Sequence, residues 1–193
     1  MKVKSELIIQ NVLKHIALRQ EEQDHFLAML IEKEVERNGY LQQGGERCDY
    51  IHFVNEGILR AFYISPDGKD STVMFATRDW WITDMGSFLK EEPAIVNLQA
   101  VSKVAVLSLS KSRLDTLFEE LPVFNKFFRI LMQNAYCREQ RRSLQTLSLT
   151  PKDRYHRFLD KYPEIAQNVT QKQIASYLGI TPEFLSYLRA QKD

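Results

Sequence analysis

Apolar residues recur at helical spacing at both ends of this chain and alternate through its middle. The spacing predicts helices over 5–14 and 20–37. In the second, Glu21 and Glu22 lie in the first turn, Phe26, Leu27, Leu30 and Ile31 form an apolar stripe, and Gly39 ends it. Over 40–109 short segments rich in Val, Ile, Phe, Tyr and Thr are cut by Gly44-Gly45, Asn55-Glu56-Gly57 and Pro66-Asp67-Gly68. They predict strands at Ile51–Val54, Ile58–Ile64 and Thr72–Ala76, and further strands at 95–101 and 104–109. Even spacing with tight turns describes a sandwich or barrel. The helical period returns at Lys111. Ser112 is placed to cap a helix over 113–120, and Pro122 to open one running unbroken to about 147.

That long helix carries Phe124, Phe127, Phe128, Leu131, Ala135, Leu144 and Leu147 at three/four spacing. Globular helices average about 11–12 residues, so its length predicts a dimerisation helix, with Phe124, Phe127, Phe128, Leu131 and Ala135 as contacts. Thr150-Pro151 then starts another helix, which Tyr162-Pro163 ends. Its Tyr155, Phe158 and Leu159 face a core shared with the last 25 residues.

Those last residues carry the most information. Ile174 and Leu178 share a helix face, and Gly179 follows where a left-handed C-cap is needed. Thr181 is placed to cap a new first turn, Pro182 suits its first position, and Leu185 and Leu188 share the next face. Ala175 is small where two helices must cross. This is the pattern of a helix-turn-helix, whose second helix enters the major groove of DNA.

Composition narrows the classes. The chain has 193 residues and is 44% hydrophobic, so it supports a proper core. No apolar run approaches a membrane span, and the Met1–Glu6 start lacks a signal-peptide apolar region. Cys48 and Cys137 stand alone, which points to reduced thiols in a cytoplasmic protein. Net charge is only +1, but residues 138–193 carry 10 Lys and Arg against 6 Asp and Glu, while residues 1–137 carry 16 against 19. A basic C-terminal third on a mildly acidic body suits nucleic acid. There is no Walker A, HExxH or Gly-x-Ser-x-Gly pattern, so the chain reads as a non-enzyme.

The order of elements resembles the Crp/Fnr family of bacterial transcription regulators, over essentially the whole chain. The turns around Gly57 and Gly68 and the run Val169–Arg189 carry the likeness most specifically. Leu149–Arg189, with Tyr162-Pro163-Glu164 and Tyr177–Glu183, is most similar to short members from the Bacteroidetes. The resemblance implies an α+β chain. A double-stranded β-roll of cyclic-nucleotide-binding type covers 1–121, a dimerisation helix 122–148 and a helix-turn-helix domain 149–193. It also implies double-stranded DNA, a second copy of the chain and RNA polymerase as partners.

The ligand site departs from the family pattern. In cyclic-AMP-binding members a Gly-Glu pair precedes a short helix and an Arg-Ser/Thr-Ala follows it. The Glu takes the ribose hydroxyl; the Arg and helix amides hold the phosphate. Here those positions fall on Thr83-Asp84 and Ala94-Ile95-Val96. Asp84 keeps a carboxylate on a shorter arm, but Ala94 offers no cation and Ile95 no hydroxyl. Burying an unpaired anion is costly, and Lys90 is the nearest substitute cation in sequence. Trp80, Trp81, Met85 and Phe88 make the region apolar. The expectation is a filled pocket, no cofactor and no cyclic AMP in the family mode. The N-terminal cysteine cluster of the Fnr branch is missing, while His15 and His52 leave haem ligation open.

For DNA, Thr181, Glu183, Ser186, Tyr187 and Arg189 are the candidate contacts of the second helix, and Gln171, Lys172 and Gln173 the phosphate contacts. The family commonly has Arg where Tyr187 stands, so the preferred half-site should differ. Glu183 and Tyr187, four apart, share a face, whereas Arg189 lies about 200° round from Tyr187. Arg189 is therefore expected to bind phosphate. With the sequence ending at Asp193, no β-hairpin wing is expected after this helix. Two rivals stand beside this reading. One is a β-roll module whose C-terminal helices dock a partner protein instead of DNA; burial of the Glu183–Tyr187–Arg189 face against the protein's own body would favour it. The other is a regulator with no effector.

Overall fold

The computed structural model describes residues 2–191. Helices α1 (Lys2–Leu13) and α2 (Gln20–Ala28) lead into β1 (Ile31–Val35), β2 (Tyr40–Gln42), β3 (Tyr50–Glu56), β4 (Leu59–Ile64), β5 (Asp70–Ala76) and β6 (Trp80–Ile82). A short helix α3 (Met85–Lys90) precedes β7 (Asn97–Ala100) and β8 (Val104–Ser110). The rest is helical: α4 (Lys111–Glu120), α5 (Val123–Ser148), α6 (Pro151–Lys161), α7 (Pro163–Asn168), α8 (Gln171–Leu178) and α9 (Pro182–Ala190). The strands form two four-stranded sheets, ordered β1-β8-β3-β6 and β2-β7-β4-β5, and each ladder is antiparallel. The molecule is α+β: an antiparallel roll followed by a long helix and a helical end.

Three layers of core hold it together. Val54, Leu59, Leu98, Val104 and Val106 fill the space between the sheets. Ile8, Val12, Phe26, Phe53, Trp81, Leu117, Phe124 and Phe127 join the first sheet to α1, α2, α4 and the start of α5. A third cluster joins Ile58, Phe75 and Val101 of the roll to Tyr155, Phe158, Ile174, Leu178 and Leu185 of the C-terminal helices. Gly57 closes the β3–β4 turn at φ +84°, where an added Cβ would stand 2.2 Å from the Lys103 carbonyl oxygen. No other residue type fits there without moving backbone.

Several sequence expectations need correction. The helix expected over 20–37 stops at Ala28, because Ile31–Val35 forms a strand paired with β8 from Ile31↔Ser108 to Val35↔Val104. Leu27, Leu30 and Ile31 have helical spacing, but Ile-Glu-Lys-Glu-Val alternates with period two, and the sheet edge outweighs the local stripe. Gly39 lies in the β1–β2 turn and ends no helix. The cap of α4 is Ser110, not Ser112; its hydroxyl accepts from the Arg113 amide at 3.2 Å. The largest correction concerns α5. Phe124, Phe127 and Phe128 are buried within the chain's own core and are not free for a dimer surface, while Leu131, packed against that core, and Ala135 are only partly buried. The apolar side chains that α5 does expose lie further along it, at Tyr136, Leu144 and Leu147.

Candidate nucleic-acid interface and effector pocket

The helix-turn-helix is built by caps at both of its starts. Thr170 Oγ1 accepts from the Gln173 amide at 3.2 Å, and Gln173 Oε1 accepts from the Thr170 amide at 2.9 Å. This is a reciprocal capping box. Gly179 ends α8 in the left-handed region at φ 68°, and the Ile180 amide donates back to the Ala175 carbonyl at 3.0 Å. Thr181 Oγ1 then accepts from the Phe184 amide at 3.2 Å and starts α9 with Pro182 at its first position. Ile174, Ala175, Leu178, Leu185 and Leu188 are all buried, as their spacing required.

The outer face of α9 is open. Glu183, Phe184, Ser186 and Tyr187 are exposed, Tyr187 at 56%. Phe184 stacks on Tyr187 at 6.0 Å between ring centroids, and Gln191 Nε2 donates to the Tyr187 oxygen at 2.6 Å. Phe184 was not among the sequence candidates, since a Phe in a helix reads as core. Arg189 lies off this face, bordering a groove with Tyr155, Leu159 and Pro163. Some candidates are already committed elsewhere. Ser186 donates its hydroxyl proton to the Pro182 carbonyl at 3.0 Å, and the Gln173 side chain is held by its own cap. Gln171 and Lys172 are exposed in the first turn of α8.

The first of these helices docks on the roll. At β5 the pairing with β4 shifts register, so that Ala61 faces Met74 and Phe62 faces Thr72. Such a bulge turns strand backbone outward. The Thr72 amide and hydroxyl reach Ser176 Oγ at 2.8 and 3.1 Å, and Ser176 Oγ donates to the Asp70 carbonyl at 3.0 Å. Behind them the buried Arg60 donates to Thr72 Oγ1 at 2.7 Å and to Asp70 Oδ1 at 2.8 Å. Burial pushes the Asp70 carboxyl up, but Arg60 and Ser176 outweigh it and hold it below its ordinary value.

The positions expected to form an effector pocket do come together, but they face one another. Asp84 is 7% exposed. Its carboxylate caps α3 by accepting from the Ser87 amide and hydroxyl, and it also accepts from the amides of Ile95 and Val96 at 2.8 and 3.1 Å. Both oxygens are thus occupied by the chain that would have to receive a ligand. Thr83 donates its hydroxyl to the Tyr50 carbonyl at 2.8 Å. Ala94 is buried, Ile95 points to solvent and is 64% exposed, and Lys90 is exposed at the far end of α3. These residues do not fit a cyclic phosphate held by a cation and a free carboxylate.

Nor does His52 offer a metal ligand. It is fully buried in β3, its Nδ1 2.8 Å from Ser108 Oγ, and burial together with the Lys33 charge pushes its pKa down to about 3. His15 lies beside Phe127. Among the described residues no cluster of His, Cys, Asp and Glu is arranged to hold a metal ion, and no helix is long and apolar enough to cross a membrane. Both cysteines are free, Cys48 buried and Cys137 exposed.

Residues 32–121, which span the roll, match the family described as the cyclic nucleotide-binding domain. No curated protein matches the chain significantly in sequence. Solved structures match it along most of its length. CLP from Xanthomonas campestris, described as a c-di-GMP-responsive global regulator, is 18% identical with a TM-score of 0.73, covering 90% of this chain and 91% of that one. FixK2 from Bradyrhizobium japonicum is 18% identical with a TM-score of 0.70, covering 84% and 83%. A mutant of CooA from Carboxydothermus hydrogenoformans is 13% identical with a TM-score of 0.67, covering 86% and 77%. These likenesses show a shared fold along most of the chain.

Proposed function

We propose that this chain is a sequence-specific DNA-binding transcription regulator of Crp/Fnr type. It acts as a homodimer, and its ancestral effector pocket no longer takes cyclic AMP in the family mode. The observation that carries this reading is the free face of α9. Leu185 and Leu188 anchor the helix, while Glu183, Phe184 and Tyr187 look outward. A helix kept for packing alone has no need to display two stacked aromatic rings to water. The same exposure removes the one observation, burial of this face on the chain's own body, that would have favoured the partner-docking rival.

In the complex, Glu183 accepts from a cytosine amine, while Tyr187 and Phe184 pack on thymine methyls or hydrogen-bond a base edge. Lys172 and Gln171 hold backbone phosphates, as does Arg189 from beside the reading face. The dimer forms through the exposed side of α5, where Leu144 and Leu147 replace the phenylalanines as the apolar contacts. Binding to a selected site and to non-specific duplex tests the assignment. Tyr187→Ala should weaken the selected site by about 1–3 kcal/mol and leave non-specific binding unchanged. Equal loss of both, or of neither, would show that α9 is not the reader.

A further inference from the structure

The basic residues of the C-terminal third do not gather on the recognition helix. Arg138, Arg141 and Arg142 of α5 and Arg154, Arg157 and Lys161 of α6 line one cleft, roofed by β5 and by Tyr162 and Tyr177. Glu139 is the single carboxylate among the residues lining it. It stands 3.6 Å from Arg138 and 3.7 Å from Arg142, longer than a good charge-assisted hydrogen bond. The guanidinium groups are instead propped by neutral partners. Arg142 lies 4.6 Å over the Tyr177 ring and donates to the Thr72 carbonyl at 3.2 Å. Arg138 lies 5.4 Å from the Trp80 ring. Arg154 donates to the carbonyls of Leu149 and Leu178 at 3.0 and 3.3 Å, while its Nε is buried with no acceptor among the described residues. No carboxylate among the described residues pairs with Arg141, Arg157 or Lys161. Six cations thus line one cleft with a single, loosely held carboxylate, an excess of positive charge that an anion would offset.

We propose that this cleft binds a small multivalent anion of the phosphate class, such as a pyrophosphate group. It encloses about 80 Å³, several times the roughly 10–15 Å³ that one water requires, which suits one or two phosphate groups. Arginines held rigidly on aromatic faces and carbonyls present donors in fixed positions, the arrangement that bidentate phosphate binding needs. Duplex DNA is the other source of phosphate. The recess between roll, α5 and α6 favours a free anion, because a small ion enters it more readily than the backbone of a duplex. The site lies away from Asp84 and does not depend on the DNA reading. Its walls belong to the roll, α5, α6 and the end of α8, so a bound anion ties the helix-turn-helix to the roll. Only the consequence for operator binding rests on the function proposed above.

The test is calorimetry of the full chain with inorganic pyrophosphate against sodium chloride at matched ionic strength, without DNA. Saturable binding of one pyrophosphate per protomer is expected, weakened about tenfold in Arg141→Gln and in Arg157→Gln and unchanged in Lys126→Gln. Arg141 and Arg157 are exposed and make no structural bonds, so unaltered melting in chloride confirms that both variants fold. Binding no stronger than chloride, or equal in all variants, overturns the proposal. It is also overturned if both arginine variants weaken DNA binding while leaving pyrophosphate binding intact, which makes the cleft a DNA-phosphate surface. A Tyr187→Ala protein that binds pyrophosphate normally separates this site from the reading of DNA.

Discussion

At the residue scale, three residues show how little freedom the roll has. His52 is held neutral by burial, at a pKa of about 3 against an ordinary 6.5. The unfolded chain takes up a proton between those values and the folded one does not, so stability falls as the pH drops from 6.5 towards 3. The slope from this residue is about 1.4 kcal/mol per pH unit. Urea denaturation at pH 6.5 and 5 should show His52→Gln losing less stability than the parent by roughly that slope. An identical loss would place the proton elsewhere. Gly57 is fixed by backbone: with φ +84° and the Lys103 oxygen at 2.2 Å from an added Cβ, Gly57→Ala should cost several kcal/mol. Its melting temperature, compared with that of Gly68→Ala, where no atom lies within 4 Å of an added Cβ, checks this. Asp84 is turned inward onto the amides of Ser87, Ile95 and Val96. Calorimetry with cyclic AMP should therefore give no micromolar binding, and such binding abolished by Asp84→Ala would refute the filled pocket. The sequence exposed the missing cation at Ala94, because an absent functional group is visible in one letter. It concealed the inward turn of Asp84, which depends on two amides eleven and twelve residues away.

Among the elements, α5 is where sequence and structure part most sharply. Its three/four apolar spacing is real, but periodicity states only that a face is covered and is silent on what covers it. Phe124, Phe127 and Phe128 are covered by α1, α2 and Trp81, whereas Leu144 is 59% exposed and Leu147 86% exposed. A double Leu144→Asp, Leu147→Asp protein should sediment as a monomer with an unchanged melting profile. A dimer that survives these charges would move the interface off this helix. By contrast, the turn between α8 and α9 is legible almost to the residue, though the Thr170 cap of α8 is not. Its boundaries are written in capping chemistry — Gly179, Thr181, Pro182 — which acts within four residues and needs no distant partner. β1, β2 and β6 were missed for the converse reason. They are only three to five residues long and become strands through their partners β8, β7 and β3.

For the whole molecule, the junction between the roll and α8 decides how the last two helices are held. Ser176 is the hinge pin of that contact, accepting from the Thr72 amide and donating to the Asp70 carbonyl. Ser176→Ala leaves the Thr72 amide and the Asp70 carbonyl without a protein partner. It should cost about 1–3 kcal/mol and speed amide exchange across α8 while β3 and β8 stay protected. Uniform change across the chain would mean that the contact has no local role. The basic third of the sequence suits a DNA footprint, yet six of its cations line the cleft beside this junction. A charge count has no direction, which is why composition could not place them. Selection from a random duplex library by the purified full-length protein tests the central claim most directly. A regulator built this way enriches a two-fold symmetric site, its half-sites an integral number of turns apart, and Tyr187→Ala erases the enrichment while keeping salt-sensitive bulk binding. A library that emerges with no enriched sequence, or with the same one after that substitution, contradicts it.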